Sequence, residues 1–234
     1  MKPIKIVMSC EHASNEIPLP YLYLFAQNQT VLATHRAVDI GAQVIADHLS
    51  QLLNCDYTKS TISRLLIDCN RTLRHAHCFS EFTRPLSQSA KQQLIENYYQ
   101  PFREQTESII QNHIERGHQV LHLSIHTFTP ELNGIERNAA IGLLYDPSRH
   151  GEKEVARVWQ EILFSQTPAY RVRQNYPYRG TSDGFTSALR KKYAEKDYLG
   201  LEIESNQALV QDEASLKQLL HALSESLKEL LQVL

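Results

Sequence analysis

The feature that most constrains the fold is an alternation of short apolar segments with longer segments whose apolar residues recur every three or four positions. Short apolar segments are typical of buried strands, and the longer pattern is typical of helices with one apolar face. Strands that alternate with helices predict an α/β fold with a mostly parallel sheet and helices on both faces. The predicted strands cover residues 4–10, 64–70, 119–125, 140–145 and 198–205, and the predicted helices cover residues 38–53, 87–116, 151–165 and 212–233.

Length and composition are those of one domain. The chain has 234 residues, of which 42% are hydrophobic, and this is enough apolar material for one α/β core. No linker or low-complexity segment divides the sequence, so we predict a single domain over residues 1–234. Pro101 is expected to kink or break the predicted helix over 87–116, because its ring removes a backbone donor.

The overall charge argues against some classes of partner. A net charge of −2 gives no field that would recruit nucleic acid or an anionic membrane. No run of about 18 apolar residues is present, so no membrane span is expected. The sequence also lacks a signal-peptide pattern and CxxC spacing, which indicates a cytoplasmic protein with free thiols at Cys10, Cys55, Cys69 and Cys78.

Polar groups able to perform chemistry follow or lie on four of the predicted strands. Because the carboxyl ends of parallel strands lie along one edge of a sheet, we expect these groups to converge there, where ligands bind in such folds. They are Glu11 and His12 after the first strand, Asp68, Asn70 and Arg71 at the second, His126 and Thr127 after the third, and Glu202 and Glu204 on the last.

The two histidines favour a metal site. Neutral imidazoles from separate strand ends, together with one carboxylate, would give three protein ligands and leave one coordination position open, as in catalytic zinc sites. The carboxylate would be Glu11, which adjoins His12, or Glu16, four residues further on, and either could instead orient His12 as an outer hydrogen-bond partner. The alternative is that each histidine is an ordinary hydrogen-bonded residue at a strand end.

The pair Glu202 and Glu204 has the spacing of two that places both side chains on one face of a strand. Two carboxylates on a buried strand are costly unless they meet cations, donors or a metal-bound water. A carboxylate that faces such a water could take its proton and pass it to a leaving amine. The alternative is a salt bridge from each glutamate to a surface arginine.

Several basic residues are candidates for binding the substrate. Arg71 offers a planar fork that matches a carboxylate, and Asn70 adds an amide donor, so this pair indicates an anionic substrate. The alternative for Arg71 is an ion pair with a structural acid such as Asp68. Arg137 and Arg179 lie in glycine-containing loops and are further candidates, although such residues are more often solvated.

Taken together, eight segments resemble the blocks of the N-formylglutamate amidohydrolase family, in the family's order. The resemblance runs from about residue 5 to about residue 210, which is nearly the whole chain. The segments are CEHASNEIP (10–18), HRAVDIGA (35–42), SRLLIDCNR (63–71), YYQPFR (98–103), SIHTFTP (124–130), NGIERNAAIGLLYDPSR (133–149), NYPYRGTSDGF (175–185) and GLEIESNQ (200–207).

This family is similar in fold to zinc carboxypeptidases and aspartoacylase, so the resemblance implies a mixed sheet in an α/β sandwich. It also implies a Zn²⁺-dependent hydrolase that cleaves the C–N amide bond of an N-formyl or N-acyl amino acid such as N-formyl-glutamate. By this resemblance, His12 and His126 match the metal-binding histidines. Glu204 matches the strand glutamate that acts as general base, since Gln207 follows it three residues later.

The resemblance also assigns the substrate-binding groups and leaves one ligand open. Asn70 and Arg71 match the pair that holds the substrate carboxylate. Beyond the resemblance, we expect Arg179 to close over this carboxylate and Arg137 to assist in stabilising the oxyanion. The formylglutamate-cleaving branch of the family places proline before the first histidine and an acid four residues after it. This chain has Glu11 before His12 and Glu16 after it, so it is more similar to a side branch, and either acid could be the third ligand. Two other functions stay open, namely a metallopeptidase-like hydrolase of another small amide and a metal-free protein that binds a carboxylate.

Overall fold

The computed structural model describes residues 2–234. Six of its strands form one sheet in the order β2-β1-β3-β8-β6-β7, and β4 and β5 form a separate two-stranded hairpin. The strands are β1 (Ile4–Cys10), β2 (Asp56–Lys59), β3 (Gln119–Phe128), β4 (Glu131–Leu132), β5 (Ile135–Glu136), β6 (Ile141–Leu144), β7 (Val172–Gln174) and β8 (Tyr198–Asn206). The α-helices are α1 (Ala42–Leu53), α2 (Gln88–Leu94), α3 (Gln100–Glu115), α4 (His150–Gln166), α5 (Phe185–Lys192) and α6 (Glu213–Val233).

The sheet is mixed and mostly parallel, as predicted. β1 pairs in parallel with β2 and β3, and β3 pairs in parallel with β8. The one antiparallel pairing joins β6 to β8, and β7 then adds to β6 in parallel. The carboxyl ends of β1, β3 and β8 therefore lie next to one another at one edge.

The two faces of the sheet carry different side chains. Helices α1, α4 and α6 cover one face, where odd-numbered residues of β3 and β8 such as Leu123 and Leu201 contribute to an apolar core. Helices α3 and α5 and an irregular segment over residues 60–86 cover the other face. Even-numbered residues of the same strands point to this second face, which is where the polar side chains lie. These polar residues are His122, Ser124, His126, Glu202 and Glu204.

The predicted strand over residues 64–70 is wrong, because this segment consists of turns. The edge position next to β1 is taken instead by β2, which the sequence did not indicate. Leu66 and Ile67 are fully buried, but Thr83 donates to the Leu66 carbonyl at 2.8 Å, and the amide of Asp68 donates to the Cys78 carbonyl at 2.8 Å. Since these bonds satisfy the buried backbone outside a sheet, the short apolar run does not need strand partners.

Two predicted helices have different limits in the structure. The helix predicted over 38–53 begins only at Ala42, since Gly41 has a positive φ of 86° and residues 38–41 form a turn. The helix predicted over 87–116 does not break at Pro101. It passes from α2 through a π-helical turn, Ile95–Tyr99, into α3, and the proline lies in the first turn of α3, where a missing donor is tolerated.

Strand β7 and helix α5 were not predicted, because β7 has only three residues and α5 lies in a polar segment. The free thiols of Cys10, Cys69 and Cys78 are buried, and that of Cys55 is partly exposed. Among residues 2–234, no helix combines the length and apolar character needed to cross a membrane.

We predict that Gly142→Ala destabilises the protein strongly. A Cβ at Gly142, in β6, would overlap the backbone carbonyl oxygen of Tyr176 and would also lie 3.3 Å from Cβ of Glu204, which restricts relaxation. Overpacking of this kind costs about 3 kcal/mol or more of the free energy of unfolding. Urea denaturation followed by circular dichroism measures this loss.

The matched control is Gly117→Ala. Gly117 has a φ of 84° but no atom within 4 Å of the added Cβ, so only the backbone conformation resists the substitution. This costs roughly 1–2 kcal/mol. Equal losses for the two variants would show that the contact between Gly142 and Tyr176 does not constrain β6.

Candidate active site

A cavity of about 450 Å³ opens at the carboxyl ends of β1, β3 and β8, on the second face of the sheet. Its wall includes His12, Asp39, His126 and Glu204, which come from four separate parts of the chain. The pairing of β1 and β3 brings His12, in the turn that follows β1, close to His126 on β3, with ring centroids 5.1 Å apart. This is the edge at which the sequence analysis predicted that polar groups would converge.

Two histidines and one aspartate form a cluster at the base of this cavity. Oδ2 of Asp39 lies 3.2 Å from Nδ1 of His12 and 2.8 Å from Nδ1 of His126. All three side chains are buried, and one donor atom from each lies within 4.8 Å of the other two. The backbone amide of Asp39 donates a hydrogen bond to the His12 carbonyl at 3.1 Å, and this bond holds the turn before α1 against the end of β1.

The arrangement of donor atoms fits a bound metal ion. Metal–ligand bonds of about 2.0–2.1 Å in a tetrahedral site separate neighbouring donor atoms by roughly 3.3 Å. The two distances from Asp39 Oδ2, 3.2 Å and 2.8 Å, are close to this value. Two imidazoles and a carboxylate are also a common ligand set of sites that keep one position open.

The outer nitrogen of each imidazole is held by a carboxylate. Nε2 of His12 lies 2.7 Å from Oδ1 of Asp68, and Nε2 of His126 lies 3.2 Å from Oε2 of Glu11. Ser124 also contacts Nε2 of His126 at 2.9 Å. When the outer nitrogen donates to a carboxylate, the inner nitrogen, Nδ1, keeps its lone pair for a ligand.

Glu11 is itself held by a chain of buried hydrogen bonds on the second face of the sheet. Ser9 donates to Oε1 of Glu11 at 2.6 Å, and Ser124 donates to Oε2 at 2.7 Å. Ser9 also contacts Nε2 of His122 at 2.8 Å, and Nδ1 of His122 lies 2.8 Å from the hydroxyl of Tyr198. We call Ser9, Glu11, His122, Ser124 and Tyr198 the buried polar chain.

The charges in the cluster stabilise one another. Burial opposes ionisation of Asp68, but the neighbouring His12 and Arg64 lower the pKa of Asp68 to about 2. Burial likewise opposes the charge on His126, but its hydrogen bonds to Asp39 and Glu11 raise the pKa of this histidine well above its usual value. The cluster without a metal ion therefore favours a cation between its carboxylates.

Arg64 is a component of the site for which the sequence analysis predicted no role. Its Nη1 lies 3.2 Å from Oδ1 of Asp39 and 3.1 Å from Nδ1 of His12. The guanidinium also donates to the backbone carbonyls of Arg36, at 3.1 Å, and of His35. Arg64 thus binds the oxygen of Asp39 that faces away from His126, and it lines the cavity.

Glu204 faces the cavity from β8, directly across the strand pair from His126. Its Oε2 is buried and has no hydrogen-bond partner among residues 2–234. Burial raises the pKa of Glu204 to about 8. The charge of His126 opposes this shift, and the charges of Asp39 and Glu202 add to it. A carboxyl group of this kind is poised to exchange a proton near neutral pH, and such perturbed groups are typical of functional sites.

The proposed substrate-binding residues line the same cavity. Asn70, Arg71 and Arg179 all belong to its wall. Oδ1 of Asn70 accepts a hydrogen bond from the amide of Phe185 at 2.8 Å, which leaves its amide donors for a ligand. Arg71 donates to the carbonyl of Asp183 and lies 4.0 Å from Asp68, and its side chain is 34% exposed.

Three other predicted site residues, Glu11, Glu16 and Arg137, lie outside the cluster. Glu16 is exposed and does not line the cavity, and Glu11 lies behind His126 rather than beside Asp39. The guanidinium of Arg137 stacks on Tyr178, 5.0 Å from the ring centre, and donates to its hydroxyl at 3.0 Å. Tyr178 lines the cavity, whereas Arg137 lies outside its wall.

Solved structures share this fold. The gene product Atu2144 from Agrobacterium tumefaciens matches with a TM-score of 0.84 at 27% sequence identity, over 98% of this chain and 91% of that one. The N-formylglutamate amidohydrolase from Ralstonia eutropha JMP134 matches with a TM-score of 0.69 at 16% identity, over 100% of this chain and 93% of that one. No curated protein matches the chain.

The protein is a hydrolase of amide bonds. The family model for N-formylglutamate amidohydrolase matches residues 4–211, and the chain therefore belongs to this family. This confirms the resemblance seen in the sequence and favours an enzyme over a protein that only binds carboxylates.

We predict that His122, in the buried polar chain, makes the protein less stable in acid. Burial lowers its pKa to about 4 in the folded state, whereas the unfolded value is about 6.5. Between these two pH values the unfolded chain binds a proton that the folded protein does not, so stability falls as pH falls. Wild type should lose about 2–3 kcal/mol more than His122→Gln between about pH 7 and about pH 4.5.

Urea denaturation of both proteins at the two pH values, with a chelator present throughout, measures this difference. The buried groups that are distant from His122 are common to both proteins, so their contributions cancel in the comparison. Equal losses on acidification would show that His122 is not held neutral by the fold.

Proposed function

We propose that the protein is a zinc-dependent amidohydrolase that acts on an N-acyl amino acid, such as an N-formyl amino acid. The observation that carries the proposal is the position of Glu204, whose unpaired buried oxygen faces the cavity beside the cluster of His12, Asp39 and His126. A carboxylate next to three ligand groups is the arrangement needed to activate water for attack on an amide.

The metal ligands we propose are Nδ1 of His12, Oδ2 of Asp39 and Nδ1 of His126. Asp68 and Glu11 would fix the ring orientations through the outer nitrogens. A zinc ion bound there would act as a Lewis acid and lower the pKa of a coordinated water towards ~7.

Glu204 would act first as a base and then as an acid. It would take a proton from the attacking water, whose oxygen forms a bond to the acyl carbon. When the C–N bond breaks, Glu204 would return this proton to the nitrogen of the leaving amine. Burial supports this role, because it raises the pKa of the Glu204 carboxyl and so makes the protonated form accessible.

Cationic groups would bind the rest of the substrate. Arg64, beside Asp39, supplies donors that could stabilise negative charge developing on the acyl oxygen, the role that the sequence analysis expected for Arg137. Arg71 and Asn70 would hold a substrate carboxylate, with Arg179 at the cavity wall beside them.

We predict that Asp39→Ala and His126→Ala lose stoichiometric zinc, because each removes one of three ligands. Glu11→Gln should retain zinc but bind it about 10- to 100-fold more weakly, as expected for an outer hydrogen-bond partner. Elemental analysis after dialysis and competition with a chromophoric chelator measure zinc content and affinity.

Glu16→Gln is the matched control, because Glu16 is an exposed glutamate in the same loop. It should bind zinc like the wild type. Loss of zinc from Glu16→Gln, with retention by Asp39→Ala, would reverse the ligand assignment. A wild-type protein that binds no zinc would contradict the proposed function.

We predict that Glu204→Gln retains zinc but loses about 10²- to 10⁴-fold in kcat for amide hydrolysis, because glutamine cannot transfer the proton. Release of primary amine from N-formyl amino acids measures the rate, and elemental analysis measures the zinc. A variant with full zinc and an unchanged rate would exclude Glu204 as the base.

A further inference from the structure

Glu202 stands apart from most of the buried carboxylates because it has no basic partner. The carboxylates of Glu11, Asp39, Asp68 and Glu152 each pair with an arginine or histidine. Among residues 2–234, only the buried carboxylates Glu202 and Glu204 lack such an ion pair, and both line the cavity. Glu204 has the proton-transfer role proposed above, which leaves the charge of Glu202 without a function.

The environment of Glu202 provides one donor and leaves room for another. Glu202 is 9% exposed, and its Oε1 accepts a hydrogen bond from the hydroxyl of Thr186. Its second oxygen, Oε2, accepts no hydrogen bond from residues 2–234. This oxygen is not fully buried, and Glu202 lines the cavity, so a ligand there can reach it. A buried carboxylate without a cation is costly, so a ligand that brings a positive charge to this oxygen would be stabilised there.

Glu202 lies beside the groups proposed to bind the substrate carboxylate. A Cβ added to Gly184 would be 3.2 Å from Oδ1 of Asn70 and 3.7 Å from Oε1 of Glu202, so the two side chains border the same small space. Arg71 contacts the same segment through the carbonyl of Asp183. An arginine cation and a glutamate anion thus flank the start of α5.

This pairing of charges disfavours a dicarboxylate. A second substrate carboxylate near Glu202 would meet a like charge in a partly buried site, which costs free energy. A carboxylate with an ammonium group beside it would satisfy both Arg71 and Glu202. This is the charge pattern of the α-carbon of a free amino acid.

The spacing along β8 indicates where the cleaved bond would lie. Glu202 and Glu204 are two residues apart on one face, which separates their Cα atoms by roughly 6.6 Å. If the ammonium group on the α-carbon of the substrate binds to Glu202, an amide bond next to Glu204 lies several atoms from that carbon. The cleaved bond is then at the end of the substrate side chain. A four-carbon lysine stem has suitable length.

We propose, on the basis of the amidohydrolase function proposed above, that Glu202 determines specificity by binding the α-ammonium group of the substrate. The substrate class is then an amino acid with free α-ammonium and α-carboxylate groups and an acylated side-chain amine. Water adds to the acyl carbon, the bond to the side-chain nitrogen breaks, and that nitrogen takes the proton, which releases a carboxylic acid and the amino acid.

The test uses two substrates that differ only in the α-ammonium group, Nε-formyl-L-lysine and 6-formamidohexanoate. For the zinc-loaded wild type, kcat/KM should be about 10- to 100-fold higher for Nε-formyl-L-lysine, the range expected for a hydrogen bond between charged groups. For Glu202→Gln this ratio should fall to near one. Since Glu202 also lies beside Glu204, its replacement changes both rates, but the ratio removes that common effect.

Thr186→Val is the control for a purely structural role. It removes the hydrogen bond to Oε1 but keeps the charge of Glu202, so the wild-type substrate ratio should persist. If Glu202 only anchored α5 through Thr186, the two variants would change the ratio equally or not at all, and the proposal would be overturned.

The outcomes separate this proposal from the proposed function. If the wild type hydrolyses N-formyl-L-glutamate or 6-formamidohexanoate, the hydrolase function is supported. If its kcat/KM is then nearly equal for Nε-formyl-L-lysine and 6-formamidohexanoate, the role of Glu202 is overturned. If no amide is hydrolysed, calorimetry with L-lysine and 6-aminohexanoate decides. L-lysine should bind about 10-fold more tightly to wild type and lose this advantage in Glu202→Gln, and equal binding of both ligands would overturn the proposal.

Discussion

The site depends on the register of the parallel pair formed by β3 and β8. His126 lies directly opposite Glu204 in this pair, and the same register continues over nine residue pairs. Because side chains alternate between the faces of a sheet, a shift by one residue would turn Glu204 towards the apolar core and bring Ile203 to the cavity. The leucines and isoleucines on the first face, held by α1, α4 and α6, therefore position the glutamate as much as its own neighbours do.

The two oxygens of Asp39 have different partners, and this division organises the cluster. Oδ2 faces both histidines, whereas Oδ1 faces Arg64. Arg64 is in turn fixed by backbone carbonyls of the loop that precedes Asp39. The aspartate can therefore offer one oxygen to a metal ion while its second oxygen stays paired, which limits the cost of burying its charge.

Spacing along single strands made part of the site predictable. The alternation of Glu202 with Glu204, and the positions of His12 and His126 after apolar runs, predict that these residues lie at one sheet edge. The sequence pattern does not single out Asp39, because the predicted helix over 38–53 includes it, although Gly41 marks the turn that delivers it. Arg64 is obscured for a different reason, since its apolar neighbours predict a strand.

The buried polar chain shows which signal in the sequence was available but unused. His122 and Ser124 alternate with Leu121, Leu123 and Ile125, so β3 has one polar and one apolar face although both are buried. A strand buried on both faces is expected to be apolar throughout, and polar residues at every second position therefore indicate partners on that face. Here the partners are Ser9 and Glu11, at the end of β1, and Tyr198, at the start of β8, so the pattern that departs from a simple core leads through Glu11 to the cluster.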